Sequence, residues 1–535
     1  MGQAGPLTVR SAQHVREALV SRRELALLDV RPEHEHAQGH PLFAASLPFD
    51  RLELEVLDRV PDLGAPVVVL DGGEGTAALA ERQLSGLGYL RVSMLEGGIA
   101  AWSNAGYELF GDVNAPSKAF GELVASRLRV PFIRPDRLYG LVRDGGDVAV
   151  VDVRRYEEYA TMNIPTGRSA PGVEVVLRAP EAAPRGSTLL VLNCAGRTRG
   201  IIATQSLRNV GIANPVAALE NGTIGWKLAG LELGTGASAQ LPSPVDRSAD
   251  IAAAARRLAD RAGVRRTSLV MLQDRATQSG PDRDLTRYYF DIRDRDEYLA
   301  GHAAGSRWAP GGQLVQETDF YAPVRGAEIL LADDDGTRAN VTGSWLAQMG
   351  WDVAVVDDAL QGSLETGPWL ARPARVLAAP GVPAEVCAGL LAGGTARVVE
   401  VGPLAGYRAR HLPGSAWAQR GDLALRPKAL LGEAVRSLVL VSENPAAAGW
   451  AWATLPATWA ARTVVLEGGK AAWANAGLSF EAGAGEQLSG PDAYRRPYEG
   501  TSVGAATMQA YIDWELGLVA QLERDGTHNF CVIEP

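Results

Sequence analysis

Four times along the chain a short apolar run closes on an acidic residue, at Asp29, Asp152, Asp291 and Glu400. The runs are Leu25–Asp29, Val148–Asp152, 288–291 and Arg397–Glu400. Each is followed by a second apolar run: 67–70, Leu189–Asn193, Glu328–Ala332 and Leu438–Val441. The residue just past the second run is Asp71, Cys194, Asp333 or Ser442, and in every unit it lies 42 residues beyond the acidic one. Such a fixed period marks an internal repeat. Seventeen residues further on stand Gly88, Gly211 and Gly350 in the first three units, where a glycine suits the end of a helix begun at the loop.

Third runs follow at Arg91–Leu95, Val216–Leu219, 353–356 and Thr463–Leu466. All are short and continuously apolar rather than alternating, the pattern of parallel strands covered on both faces. Strand, crossover helix and strand, repeated, predict an α/β fold of open parallel sheets flanked by helices. Three units then carry Glu-x-Gly-(x)3-Trp, at Glu96 to Trp102, Glu220 to Trp226 and Glu467 to Trp473; the third unit departs, with Asp358 and Trp369 out of register. Boundaries are expected near residues 110, 240, 372 and 485, in Pro-, Gly- and Ser-rich segments such as that from Thr235 and that from Arg372. This gives four units, 1–110, 111–240, 241–372 and 373–485, and a tail, 486–535. A polar stretch from Gly490 leads into an expected helix at about 503–523, with Met508, Tyr511, Ile512, Leu516 and Val519 at roughly helical spacing. That stripe is expected to dock on the body of the protein or on a second copy, a homodimer. The alternative is a swapped tail covering an active site.

A length of 535 residues with 46% hydrophobic and 21% charged residues is that of a multidomain globular chain. No run reaches the roughly 18 apolar residues of a membrane helix, and the N-terminus lacks a secretory pattern, so a cytoplasmic location is expected. The net charge of -10 disfavours general binding to nucleic acid or anionic membrane. Three widely spaced cysteines form neither a disulfide framework nor a zinc site, and no metal or cofactor is expected.

Only the second unit has a good nucleophile at the loop position, in Asn193-Cys194-Ala195-Gly196-Arg197-Thr198-Arg199-Gly200. A cysteine between a strand end and a helix start lies among unpaired backbone N–H groups at the positive end of a helix dipole. Arg197 and Arg199 add positive charge, which favours thiolate and attracts an oxyanion. The amides from Ala195 to Gly200, Thr198 included, are expected to cradle that anion. Arg338, five residues past Asp333 as Arg199 is past Cys194, reads as a relic or a structural pairing with the local aspartates. Cys387 sits among apolar neighbours and reads as core. Cys531 is either a packed residue or a resolving thiol for Cys194. His34, His36 and His40 read as a solvated turn rather than a metal cluster.

The loop Cys194 to Arg199, the Asp-Val-Arg of Asp152 to Arg154 and the Glu-x-Gly-(x)3-Trp segments resemble rhodanese domains, over nearly the whole chain to about residue 480. The resemblance implies tandem rhodanese-like domains, each a five-stranded parallel sheet, with one of four catalytic and Cys194 carrying a persulfide. The six-residue loop argues against the related phosphatases, whose loop is one longer. Basic loop residues imply thiosulfate as donor rather than mercaptopyruvate. The second unit lacks the family's Gly-His before Ile164-Pro165, and Arg168 is a candidate third positive group. The expected acceptor is a thiol, glutathione or a small dithiol protein. A sulfur relay or scaffold is the reading from a different class.

Overall fold

The computed structural model describes residues 8–244, 247–272, 285–370 and 378–534. The expected boundary at Arg372 lies outside these residues. All twelve anticipated strands are present, displaced by no more than a residue at their ends. In each unit they line up in the order third, second, first, all parallel. A short strand extends the third-strand side: Val9–Arg10, Phe132–Ile133, Arg265–Thr267 and Gly381–Val382. Another borders the first strand: Ala45–Ser46, Arg168–Ser169, Arg307–Trp308 and Ala416–Trp417. In the second sheet Val191 pairs with Val150 on one side and Ala217 on the other, and residues 190–193 of this central strand are buried, which is why it reads as an unbroken apolar run. Gly88, Gly211 and Gly350 take φ of 101°, 74° and 84°, the left-handed turn that closes each helix.

Two buried devices recur. Asp29, Asp152 and Asp291 each hold the arginine two residues on, with Nη2 to carboxylate distances of 2.6, 2.7 and 2.7 Å. Each of these arginines also donates to a carbonyl eight residues beyond, of Gly39, Met162 or Gly301. The fourth unit has no such arginine, and Lys470 Nζ reaches Glu400 at 2.7 Å instead. Trp102, Trp226 and Trp473 are buried, each indole N–H donating to a carbonyl six residues on.

The units are less separate than their linkers imply. Val324–Arg325, inside the expected third unit, pairs antiparallel with the first sheet at Leu25 and Ala26. Glu486–Gln487, expected in the tail, extends the fourth sheet beside Ala416–Trp417. The segment from Thr235 is not a slack linker, because Ser169 donates to Ala239 and Leu241 donates back to Ser169 along the edge of the second sheet. The tail helix, Ala505–Asp525, matches the expected span to two residues. It docks on the body, against Ala115–Leu128 and Gly222–Leu228, burying Met508, Tyr511, Ile512, Glu515, Leu518 and Leu522. Leu516 faces solvent, contrary to the expected stripe, and Val519 is half-buried.

Candidate functional site

The strand Leu189–Asn193 delivers Cys194 to a loop that runs into the helix Thr198–Asn209. The loop is pinned from outside. The Thr223 N–H donates to the Cys194 carbonyl and the Ile224 N–H to the Ala195 carbonyl, both at 3.0 Å. Gly222 makes this approach possible: its φ is 54°, and a Cβ there would lie 2.3 Å from the Cys194 oxygen and 2.6 Å from that of Gly196. From the other side, the helix Ala115–Leu128 comes so near that a Cβ on Gly121 would meet Thr198 Cγ2 at 2.8 Å.

One contact recurs in the three loops that lack the cysteine. The amide six residues after the loop's first residue donates to its side chain: Ala77 to Asp71 at 3.0 Å, Ala339 to Asp333 at 3.1 Å and Ala448 to the Ser442 hydroxyl at 3.2 Å. In the second unit the Gly200 amide stands at that place, where it favours the Cys194 thiolate. Asp71 also accepts from Gly73 and Gly75. The first loop therefore satisfies its amides with its own carboxylate, and the second offers them a thiol.

Burial is the largest influence on that thiol and raises its pKa, against the expectation that the loop simply favours thiolate. Cys194 is only 3% exposed. The Arg199 charge, the Gly200 N–H and Arg154 act in the opposite direction, and Glu515 adds to the rise. Neither loop arginine is free. Arg197 grips Glu122 through two bonds of 2.6 and 2.9 Å, donates to Asn221 and covers the Phe132 ring. Arg199 grips Glu158 at 2.7 and 2.8 Å, and this pair holds the Glu158 carboxyl down at about 2 although burial opposes it. Their fork geometry suits carboxylates, which here come from within the chain.

Several expected site residues fall elsewhere. Arg168 donates to the Ala182 carbonyl and lines a cavity with Asp147 and Thr188 at the start of the strands, not at the loop. His36 and His40 are fully buried and stacked, with His36 Nδ1 2.9 Å from Asp29, so the solvated turn expected there is a packed element. Cys387 is core, as expected. Cys531 is exposed, and its N–H is held by the Gln348 carbonyl. Arg338 pairs with Asp333 and Asp334, as expected, and also with Glu174 and Glu297.

Residues that the sequence did not single out complete the site. Glu122 and Glu158 clamp the arginines, and the tail helix lies over the loop. A Cβ on Gly196 would stand 3.0 Å from both Glu515 Oε2 and Tyr511 Cε1. The Tyr511 hydroxyl donates to Glu515 Oε1 at 2.8 Å. Lys118, paired to Asp112 at 2.9 Å, sits 5.1 to 5.5 Å from the ring centres of Tyr498, Tyr511 and Trp514. The only sequence signal for Glu515 is its place four residues after Tyr511 on the apolar stripe. Beside these elements a cavity of about 800 Å³ is lined by groups of both signs, among them Arg155, Arg178, Arg293, Glu317 and Arg496.

Among the described residues no helix is long and apolar enough to cross a membrane. The family model for a rhodanese-like domain matches residues 11–105 and 134–229, and the second stretch contains Cys194. The crystal structure of thiosulfate sulfurtransferase from Pseudomonas aeruginosa is 47% identical, covers 99% of this chain and 100% of its own, and superposes with a TM-score of 0.91. The Alr3790 protein from Anabaena is 24% identical over 22% of this chain and 94% of its own, with a TM-score of 0.19. No curated protein matches the chain.

Proposed function

Since the chain belongs to the rhodanese family, as a sulfurtransferase relative covering its whole length indicates, we propose that it moves sulfane sulfur from thiosulfate to a thiol through a persulfide on Cys194. The observation that supports this best is the position of Cys194 at the strand end, at the loop place that carries a carboxylate or hydroxyl in the other units, with the Gly200 amide favouring its thiolate.

In the first half-reaction the Cys194 thiolate attacks the outer sulfur of thiosulfate. The sulfur–sulfur bond of the donor breaks and sulfite leaves with the electron pair. The amides from Ala195 to Gly200 bind the anion, Arg199 supplies charge beside the thiolate, and Arg197 holds the loop's shape through Glu122 and Asn221. In the second half-reaction an acceptor thiolate, from glutathione or a small dithiol protein, attacks the outer sulfur of the persulfide and Cys194 leaves as thiolate. The two steps give ping-pong kinetics. In this reading 111–240 is the catalytic unit, the other three are supports, the enzyme is cytoplasmic, and no metal or cofactor takes part.

The burial of Cys194 beneath the tail also favours a relay, in which a partner lifts the tail to collect the sulfur. Intact-mass measurement after brief thiosulfate treatment, with peptide mapping, tests the proposal. One added sulfur on Cys194, removed by cyanide or glutathione and absent in Cys194→Ser, is expected. An unmodified Cys194 after thiosulfate would sink the scheme. Release to glutathione alone marks an enzyme of small molecules, and release only on adding a partner protein marks the relay.

A further inference from the structure

Glu515 is 1% exposed, and its Oε2 makes no hydrogen bond. Its other oxygen is taken by the Tyr511 hydroxyl. Oε2 is also the atom turned to the loop, near enough to Gly196 that a Cβ there would stand 3.0 Å away. An unpaired buried carboxyl oxygen costs free energy unless something satisfies it. Because Oε1 accepts from Tyr511, the proton of the neutral acid belongs on Oε2, where it points at the residues that bear the thiol. On the sulfur-transfer reading above, we infer that Glu515 is a specificity-determining residue of the Cys194 site: with its proton on Oε2 it donates to an anion held by the loop, and as a carboxylate it repels that anion.

The surroundings support this division. Lys118 and Glu122 face Glu515 from the helix Ala115–Leu128, Arg197 and Cys194 from the loop, and Tyr511 from its own helix. Arg197 is committed to Glu122, and Lys118 to Asp112. Tyr498 and Trp514 crowd Lys118 rather than Glu515. Among the described residues no cation is therefore paired directly with Glu515, and burial pushes its carboxyl up to about 7 in spite of Lys118 and Tyr511. The neutral acid is the form present below that value and is lost as pH rises through it. A ligand that needs this form then loses about a factor of ten in affinity per pH unit above the midpoint. Gly196 leaves no side chain between the loop and the carboxyl.

The test is calorimetric titration of the full-length Cys194→Ser protein with thiosulfate at pH 6 and pH 8.5, beside Cys194→Ser/Glu515→Gln. The parent is expected to bind at least about tenfold more weakly at the higher pH. The glutamine variant, which keeps an N–H donor and no charge, is expected to bind with nearly equal affinity at both. Tyr511→Phe, in the Cys194→Ser background, removes a bond that favours the carboxylate, so the loss of affinity moves to higher pH; a purely structural tyrosine would not shift it. Equal pH slopes with and without Glu515→Gln, or no thiosulfate bound by either protein, overturn the inference. Persulfide formation in the wild-type chain reads the parent proposal separately. If it forms while the slopes agree, only the role of Glu515 falls. If it does not form and the slopes differ, the anion site stands without sulfur transfer.

Discussion

At the scale of single residues, Cys194 is held between opposing influences of known origin. Burial raises its pKa, and Arg199, the Gly200 N–H and Arg154 pull it down. Replacing Arg199 with alanine removes the leading charge that favours thiolate. The pH midpoint for alkylation of Cys194 by iodoacetamide is then expected to rise by about one unit, and an unchanged midpoint would show that Arg199 acts only as a strut for Glu158. Glu158 itself has a carboxyl lowered to about 2, so its ion pair contributes above the ordinary carboxyl range and is lost as pH falls toward 2. Cys194 was legible in the sequence because a nucleophile after an apolar run, 42 residues past an aspartate, had three non-nucleophilic counterparts. The partners of Arg197 and Arg199 were not legible: Glu122 and Glu158 lie 75 and 41 residues away in sequence, and no local pattern marks a carboxylate that approaches through folding.

At the scale of elements, the site is a loop clasped by three helices whose close approach depends on glycine. Gly196→Ala places a methyl group 3.0 Å from Tyr511 and Glu515, while the loop is pinned on its other side by the Thr223 and Ile224 amides. The expected result is a looser tail. Limited proteolysis between residues 490 and 505 should quicken, and overpacking of this kind costs about 1 to 3 kcal/mol. If Cys194 becomes more reactive toward small alkylating agents in the same variant, the tail is the barrier to them. Equal protection of tail and thiol would place the barrier elsewhere. Gly222→Ala is harsher, because its φ of 54° and the 2.3 Å approach to the Cys194 carbonyl allow no relief. It is expected to abolish persulfide formation and lower the melting temperature together. The tail helix was legible as an element from its apolar spacing. Its facing was not, because the buried stripe includes the polar Glu515 and omits the apolar Leu516. Met508, Tyr511 and Ile512 are buried as the apolar spacing implies, and the stripe then continues through Glu515, Leu518 and Leu522 rather than Leu516 and Val519.

At the scale of the molecule, the described residues hold four large sheets at the period of the repeat, beside a two-stranded one, and the repeat understates how they are joined. The contacts between units are polar and buried as well as apolar, so they leave no run in the sequence. Gly172 and Gly312 bring the second and third units together so closely that a Cβ on Gly312 would lie 2.3 Å from the Gly172 Cα. Arg338 reaches Glu174 across the same boundary at 2.9 Å. Between the first and fourth units, Arg420 grips Glu53 through two bonds of 2.7 Å, with both side chains 2% exposed and Arg420 lying over the Phe49 ring at 4.0 Å. Removing one partner of such a pair leaves a buried charge unanswered, so Glu53→Ala is expected to cost about 3 to 5 kcal/mol at that interface. Glu53→Met combined with Arg420→Met removes both charges and is expected to recover most of that loss. Because Cys194 lies in a different unit, persulfide formation measured by mass below the melting transition should match wild type in both variants. Wild-type melting in Glu53→Ala would show that the fourth unit is held by its other contacts. A fall in persulfide yield with folding intact would instead show that the outer units carry strain to the loop.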